Sequence, residues 1–155
     1  MDINQKIEKI DSKIITAAEK WSIPFGRLAI FVIYFWFGLL KVLSLSPANQ
    51  LAAQLLERTL PSVSFETFII AFGIFEMIIG ILFLVRGMER LVIFLLALHL
   101  LTTIVPLFLV RTATWQAFFV PTLEGQYIIK NILIIALALI IASHIHPFGK
   151  KKELS

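Results

Sequence analysis

The sequence contains no cysteine, which excludes disulfides, thiol redox chemistry, iron–sulfur clusters and cysteine-ligated zinc from anything this chain supplies. Charge is also scarce. Only 15% of residues are Asp, Glu, Lys or Arg, against roughly 25% in an ordinary globular chain. The basic excess of +4 is not gathered into a patch but flanks apolar runs, so nucleic acid is not an expected partner. Of the three histidines, His144 and His146 lie near one end of the chain, far from His99. They offer no paired axial ligands for haem and no evident metal site. No cleavable leader is expected, because some 25 charged, amphipathic residues precede the first apolar run.

What the chain has in place of charge is length of hydrophobic run. With 59% apolar residues and a mean hydropathy of +0.91, it reads as a polytopic membrane protein whose first partner is the lipid bilayer. The clearest run is 68–85 (FIIAFGIFEMIIGILFLV), apolar except for Glu76 near its middle. A helix of that length nearly crosses a bilayer, which places an ionisable group close to the midplane. There it costs at least ~2.5–3.5 kcal/mol on insertion scales and marks a functional-site hypothesis.

Three further runs complete an all-α, four-transmembrane-helix bundle of one membrane domain over 1–155: 28–45, 91–110 and 128–145. Residues 1–24 read as a separate amphipathic helix lying on the membrane surface. Ile3, Ile7, Ile10, Ile14 and Trp21 form its apolar side, and Lys6, Lys9, Lys13 and Lys20 its basic side. Two longer connections carry interfacial segments. In one, Ser46-Pro47 reads as an N-cap and first helical position. The other holds Trp115, Phe118 and Phe119, as interface anchors or a lid. Ten of the 14 basic residues, including a basic tail in 147–155, fall on one side of the four spans. The positive-inside rule then puts both termini in the cytoplasm of a multi-pass membrane protein.

Each span carries a polar or small stripe at helical spacing: Tyr34, Gly38 and Lys41; Gly73, Glu76 and Gly80; His99, Thr102 and Thr103; Tyr127, Lys130 and Asn131. Such residues face other helices, since lipid tails offer polar groups no partner, so the four stripes are expected to converge. The glycines Gly38, Gly73 and Gly80 would serve helix packing. At ~1.5 Å per residue, Lys41 and Lys130 lie about 4–6 Å inside the outer boundary and Glu76 and His99 about 13–16 Å. The expectation is a polar vestibule open outward and closed toward the cytoplasm, lined by the ligand-binding candidates Glu76, His99, Lys41, Tyr34, Thr102, Thr103, Tyr127, Lys130 and Asn131. No catalytic residue is singled out. Glu76 and His99 read either as a proton-handling pair, as histidine chemistry near neutral pH allows, or as a bonded pair that locks helix packing.

Arg27-Leu28-Ala29, Trp36-Phe37-Gly38-Leu39-Leu40-Lys41, Ser46-Pro47, Glu76-Met77-Ile78-Ile79-Gly80, Arg90, Thr102-Thr103, Pro106, Trp115 and Lys130-Asn131 together resemble the YkgB-like membrane proteins. That family includes the RclC-like proteins of reactive chlorine resistance and sits within the broader DoxX-like four-helix group. The resemblance implies a bacterial inner-membrane protein of oxidative stress response, and through the DoxX-like group a link to quinone as ligand or cofactor and to a redox partner protein. On this reading the chain is not an independent enzyme, and it binds a small lipophilic molecule in the vestibule. A proton-coupled transporter, a non-catalytic assembly subunit of a membrane redox complex and a homo-oligomer stay open beside it.

Overall fold

The structure, a computed structural model, describes residues 3–145 of the chain. His146 and the basic tail lie outside them. Helix α1 (Ile3–Val42) runs 40 residues without interruption. The boundary expected between a surface helix and the first span is therefore absent. Pro24 removes one amide donor, but it sits on an exposed face, so the lost bond falls away from the core. The first span ends at Val42, three residues before the expected 45, because Ser44 adopts a left-handed turn (φ 58°).

Helix α2 (Asn49–Thr59) begins two residues later than the Ser46-Pro47 signal suggested. The Ser46 hydroxyl accepts from the Ala48 amide at 3.2 Å, closing a turn ahead of the helix rather than capping it. Helix α3 (Phe65–Leu84) starts earlier than expected because Ser64 caps it, accepting from the Thr67 amide. Helix α4 (Glu89–Ile104) gives way at Val105 to a single turn, α5 (Pro106–Leu109), since Pro106 can open a helix but not continue one.

After another turn, α6 (Arg111–Thr114), comes a small antiparallel ribbon of β1 (Trp115–Ala117) and β2 (Val120–Pro121). Helix α7 (Leu123–Ser143) is capped by Thr122, whose hydroxyl accepts from Gly125 and donates to the Ala113 carbonyl at 2.6 Å. Only glycine fits at 125, because a β-carbon there would run into the Thr114 carbonyl.

Helix α1 packs along α3, α3 against α4, α4 against α7, and α7 returns to α1, closing a ring of four. The lower core is aliphatic and aromatic: Ile30, Ile79, Phe83, Val92, Leu96, Leu100, Ala138 and Ile141. The outer faces carry exposed Val32, Trp36, Phe94, Leu101, Ile132, Leu133 and Leu139. Exposure of that kind suits lipid and not water. Four helices, those headed α1, α3, α4 and α7, are long and apolar enough to cross a membrane.

An arginine pins each end of the ring. Arg27 donates to the carbonyls of Phe83 (2.6 Å) and Val85 (2.9 Å) at the end of α3, and to Glu89 (2.9 Å) at the start of α4. These are carbonyls that the end of a helix leaves without partners. At the opposite end, Arg58 of α2 donates to the Leu109 carbonyl of α5 at 2.6 Å.

Candidate functional site: a buried line of four ionisable side chains

Helices α1 and α3 can meet closely because each presents glycine where they cross. A β-carbon at Gly38 would stand 2.5 Å from the Gly73 carbonyl oxygen, and one at Gly73 would stand 2.6 Å from that of Gly38. Backbone thus faces backbone, with the glycine hydrogens directed at the opposite carbonyls. Two turns further on, Gly80 lies against the backbone of Phe31 and Phe35. The three packing glycines therefore sit where the sequence placed them.

This approach brings Lys41 over Glu76. The lysine Nζ donates to Glu76 Oε2 at 2.6 Å, with both side chains buried. Side chains on a helix lean toward its N-terminus, and for Lys41 that direction leads to Glu76. The other carboxylate oxygen of Glu76 lies 2.9 Å from His99 Nε2, and His99 Nδ1 lies 3.1 Å from the Tyr34 hydroxyl. Lys41, Glu76, His99 and Tyr34 form one hydrogen-bonded line, each residue between 4% and 7% exposed.

Tyr34 and Lys41 lie seven residues apart on α1, so the line covers about 10 Å of depth. Phe72 stacks on the His99 ring (centroids 5.1 Å apart, planes 22°) and Phe75 leans on it at 6.2 Å. Phe72 also lies under the lysine, 5.7 Å from Nζ to the ring centre. These two rings were not among the expected site residues. Phe72 lies one turn before Glu76 (i, i+4), and that spacing was the available signal.

With neutral His99 donating from Nε2 to the Glu76 carboxylate, Nδ1 accepts from Tyr34 O–H. A proton added to His99 reverses that last bond, since Nδ1–H must then donate to the Tyr34 oxygen. The line can take up one proton without losing a hydrogen bond.

Other expected site residues lie elsewhere. Thr102 and Thr103 spend their hydroxyls on carbonyls of their own helix, those of His99 (2.7 Å) and Leu100 (3.0 Å). Tyr127 and Lys130 are exposed and pair with each other, Nζ 5.4 Å from the ring centre. Asn131 is half-buried. The structure thus holds a closed cluster where an open vestibule was expected, because Lys41 folds onto Glu76 instead of lining a passage.

A hollow of about 220 Å³ lies at the far end of the bundle, between Ile23, Arg27, Glu89, Ile141, His144 and Ile145. Trp115 is held by a bond from its ring nitrogen to the Leu107 carbonyl at 3.0 Å, whereas Phe118 and Phe119 are 88% and 79% exposed, Phe119 edge-on to the Trp115 ring at 6.3 Å. Among the described residues, no group of three or more acidic, His or Cys residues could hold a metal.

Fold and site together define a mostly helical chain with four membrane-length helices and an ionisable line buried at their centre. No family model, curated protein or solved structure matches the chain.

Proposed function

We propose that this is a multi-pass protein of the bacterial cytoplasmic membrane, with both termini inside, that serves in an oxidant stress response of the YkgB-like kind. In this reading it binds a small lipophilic ligand of quinone type at the Tyr34–His99 end of the buried line. The observation that carries the proposal is the line itself, four ionisable groups bonded in series at membrane depth, an expensive arrangement for packing alone. Proton uptake at His99 releases the Tyr34 hydroxyl hydrogen, which then donates to an incoming carbonyl oxygen. A quinone presents such an oxygen on a flat ring, and the half-buried Phe72 and Phe75 supply aromatic faces for it. The residues fit that class of ligand. When bound, the quinone supplies the redox chemistry, while the chain's own residues orient it, hold the proton and exclude water. Orientation rests on the ten basic residues grouped on one side of the spans.

The test is solvent extraction of the purified full chain followed by quinone assay. Wild type is expected to carry quinone through purification, Glu76→Gln to carry much less, and Lys130→Ala to match wild type. Wild-type protein free of quinone, or unchanged retention in Glu76→Gln, would overturn the reading. A proton-coupled permeation module is the second reading, favoured by the same line. Against it stands the core below Tyr34, where Ile30, Ile79, Phe83, Val92 and Leu96 continue no polar path. Pumping of protons by wild type in vesicles, absent from Glu76→Gln, would reverse that preference.

A further inference from the structure

The first twenty residues of α1 project as a helix with every described position from 3 to 22 exposed, so its apolar stripe packs on no other part of the described chain. Ile7, Ile10, Ile14 and Trp21 are each between 58% and 63% exposed. A helix of that length standing alone in water is marginal, so something must cover the stripe. Three features of the stripe say what.

Its spacing is the first. Ile3, Ile7, Ile10, Ile14, Ala17 and Trp21 follow one another at alternating steps of four and three. These six positions recur twice per heptad, the spacing of a coiled-coil seam, and Ile15 is the one isoleucine of the segment that falls beside it. In heptad terms Ile7, Ile14 and Trp21 take a positions, and Ile3, Ile10 and Ala17 take d.

The second is charge. The g positions are Lys6, Lys13 and Lys20, and the e positions are Asn4, Asp11 and Ala18. Lysines therefore line only one flank of the seam. In a parallel pair each Lys6 faces the Asp11 of the other helix, twice over. In an antiparallel pair lysine flank would meet lysine flank and repel.

The third is direction. The helix continues through Pro24 into the first span, so it leaves the bundle as a rod about 30 Å long. Copies of one chain inserted alike in one membrane present these rods parallel. Charge pattern and topology thus select the same arrangement.

We infer that residues 3–21 form a parallel, in-register coiled coil with a second copy of this chain, assembling the protein in the membrane. Isoleucine at both a and d admits three or four strands as readily as two. The absence of cysteine makes the test clean. Single cysteines are placed in the full chain at Ile10→Cys, Ile14→Cys and, on the outer f position, Ser12→Cys, and membranes are treated with a mild oxidant. Same-residue disulfides are expected to form roughly tenfold faster or more at positions 10 and 14 than at 12, because only seam positions bring like residues within disulfide reach.

Lys6→Glu and Asp11→Lys should each slow the Ile14→Cys cross-link about two- to five-fold, and the double swap should restore it. Equal rates at positions 10, 12 and 14 would overturn the inference. So would single-copy protein by light scattering in nanodiscs large enough for several, with the stripe shielded there from water-soluble thiol reagents.

Discussion

Replacing Glu76 by Gln changes no heavy-atom count and removes one charge. The amide can still accept from Lys41 Nζ, now 2.6 Å from Oε2, and can donate to His99 Nε2, now 2.9 Å from Oε1. For that, His99 must carry its proton on Nδ1 and donate to the Tyr34 oxygen across 3.1 Å. The hydrogen-bond count survives, and what is lost is the counter-charge of a lysine that is 7% exposed. Breaking a buried pair by neutralising one partner costs about 3–5 kcal/mol, most of it from the charge left behind. Lys41→Met in the same background removes that charge and should recover the larger part. The two substitutions should therefore couple by ~2 kcal/mol or more in a double-mutant cycle. The assay is reversible unfolding of the full chain in mixed micelles, followed by the loss of tertiary contacts. A cost below ~1 kcal/mol for Glu76→Gln, with additive behaviour of the pair, would refute the view that an ionised Lys41–Glu76 contact holds this site.

Two further outcomes follow from the packing. Gly38→Ala places a methyl group where only about 2.5 Å is free beside the Gly73 carbonyl. The helices must part, at a cost of ~1–3 kcal/mol, and quinone retention should fall with stability. Retention of both at wild-type level would mean that the close crossing is not needed. Arg27→Lys keeps the charge but cannot reach Phe83, Val85 and Glu89 together, since a lysine lacks the planar fork. It should destabilise the chain by ~1–3 kcal/mol in the same micelle assay, and a loss below that would show the α3 carbonyls to be otherwise served.

Four membrane-length helices, the glycine crossing and the inward face of Glu76 were legible because lipid imposes one rule along each span: polar and small residues turn away from it. Lys41 reaches deeper than the position of its Cα suggests, because its side chain turns back along α1 to Glu76. Tyr127 and Lys130 were misplaced for a different reason. Along α7 the buried and half-buried positions are 125, 128, 131, 134, 135, 137, 138, 141 and 142, a seam that starts on Gly125 and Ile128 and not on Tyr127. A stripe drawn at 3.6 matches that seam near Ala138 and departs from it near Tyr127. The ribbon at Trp115 was hidden because Phe119 takes a left-handed turn (φ 57°), which no glycine or asparagine announces.

The Gly38–Gly73 crossing divides the buried line unequally. Lys41 and Glu76 ride on two helices whose backbones touch, so they move as one body. His99 belongs to α4, a third helix, and reaches Glu76 and Tyr34 with its ring. A loosening of α4 is therefore expected to part His99 from Glu76 and Tyr34 while Lys41 keeps its carboxylate. The ion pair is the fixed half of the contact and the histidine the half that can lift off, like a relay armature over a seated coil.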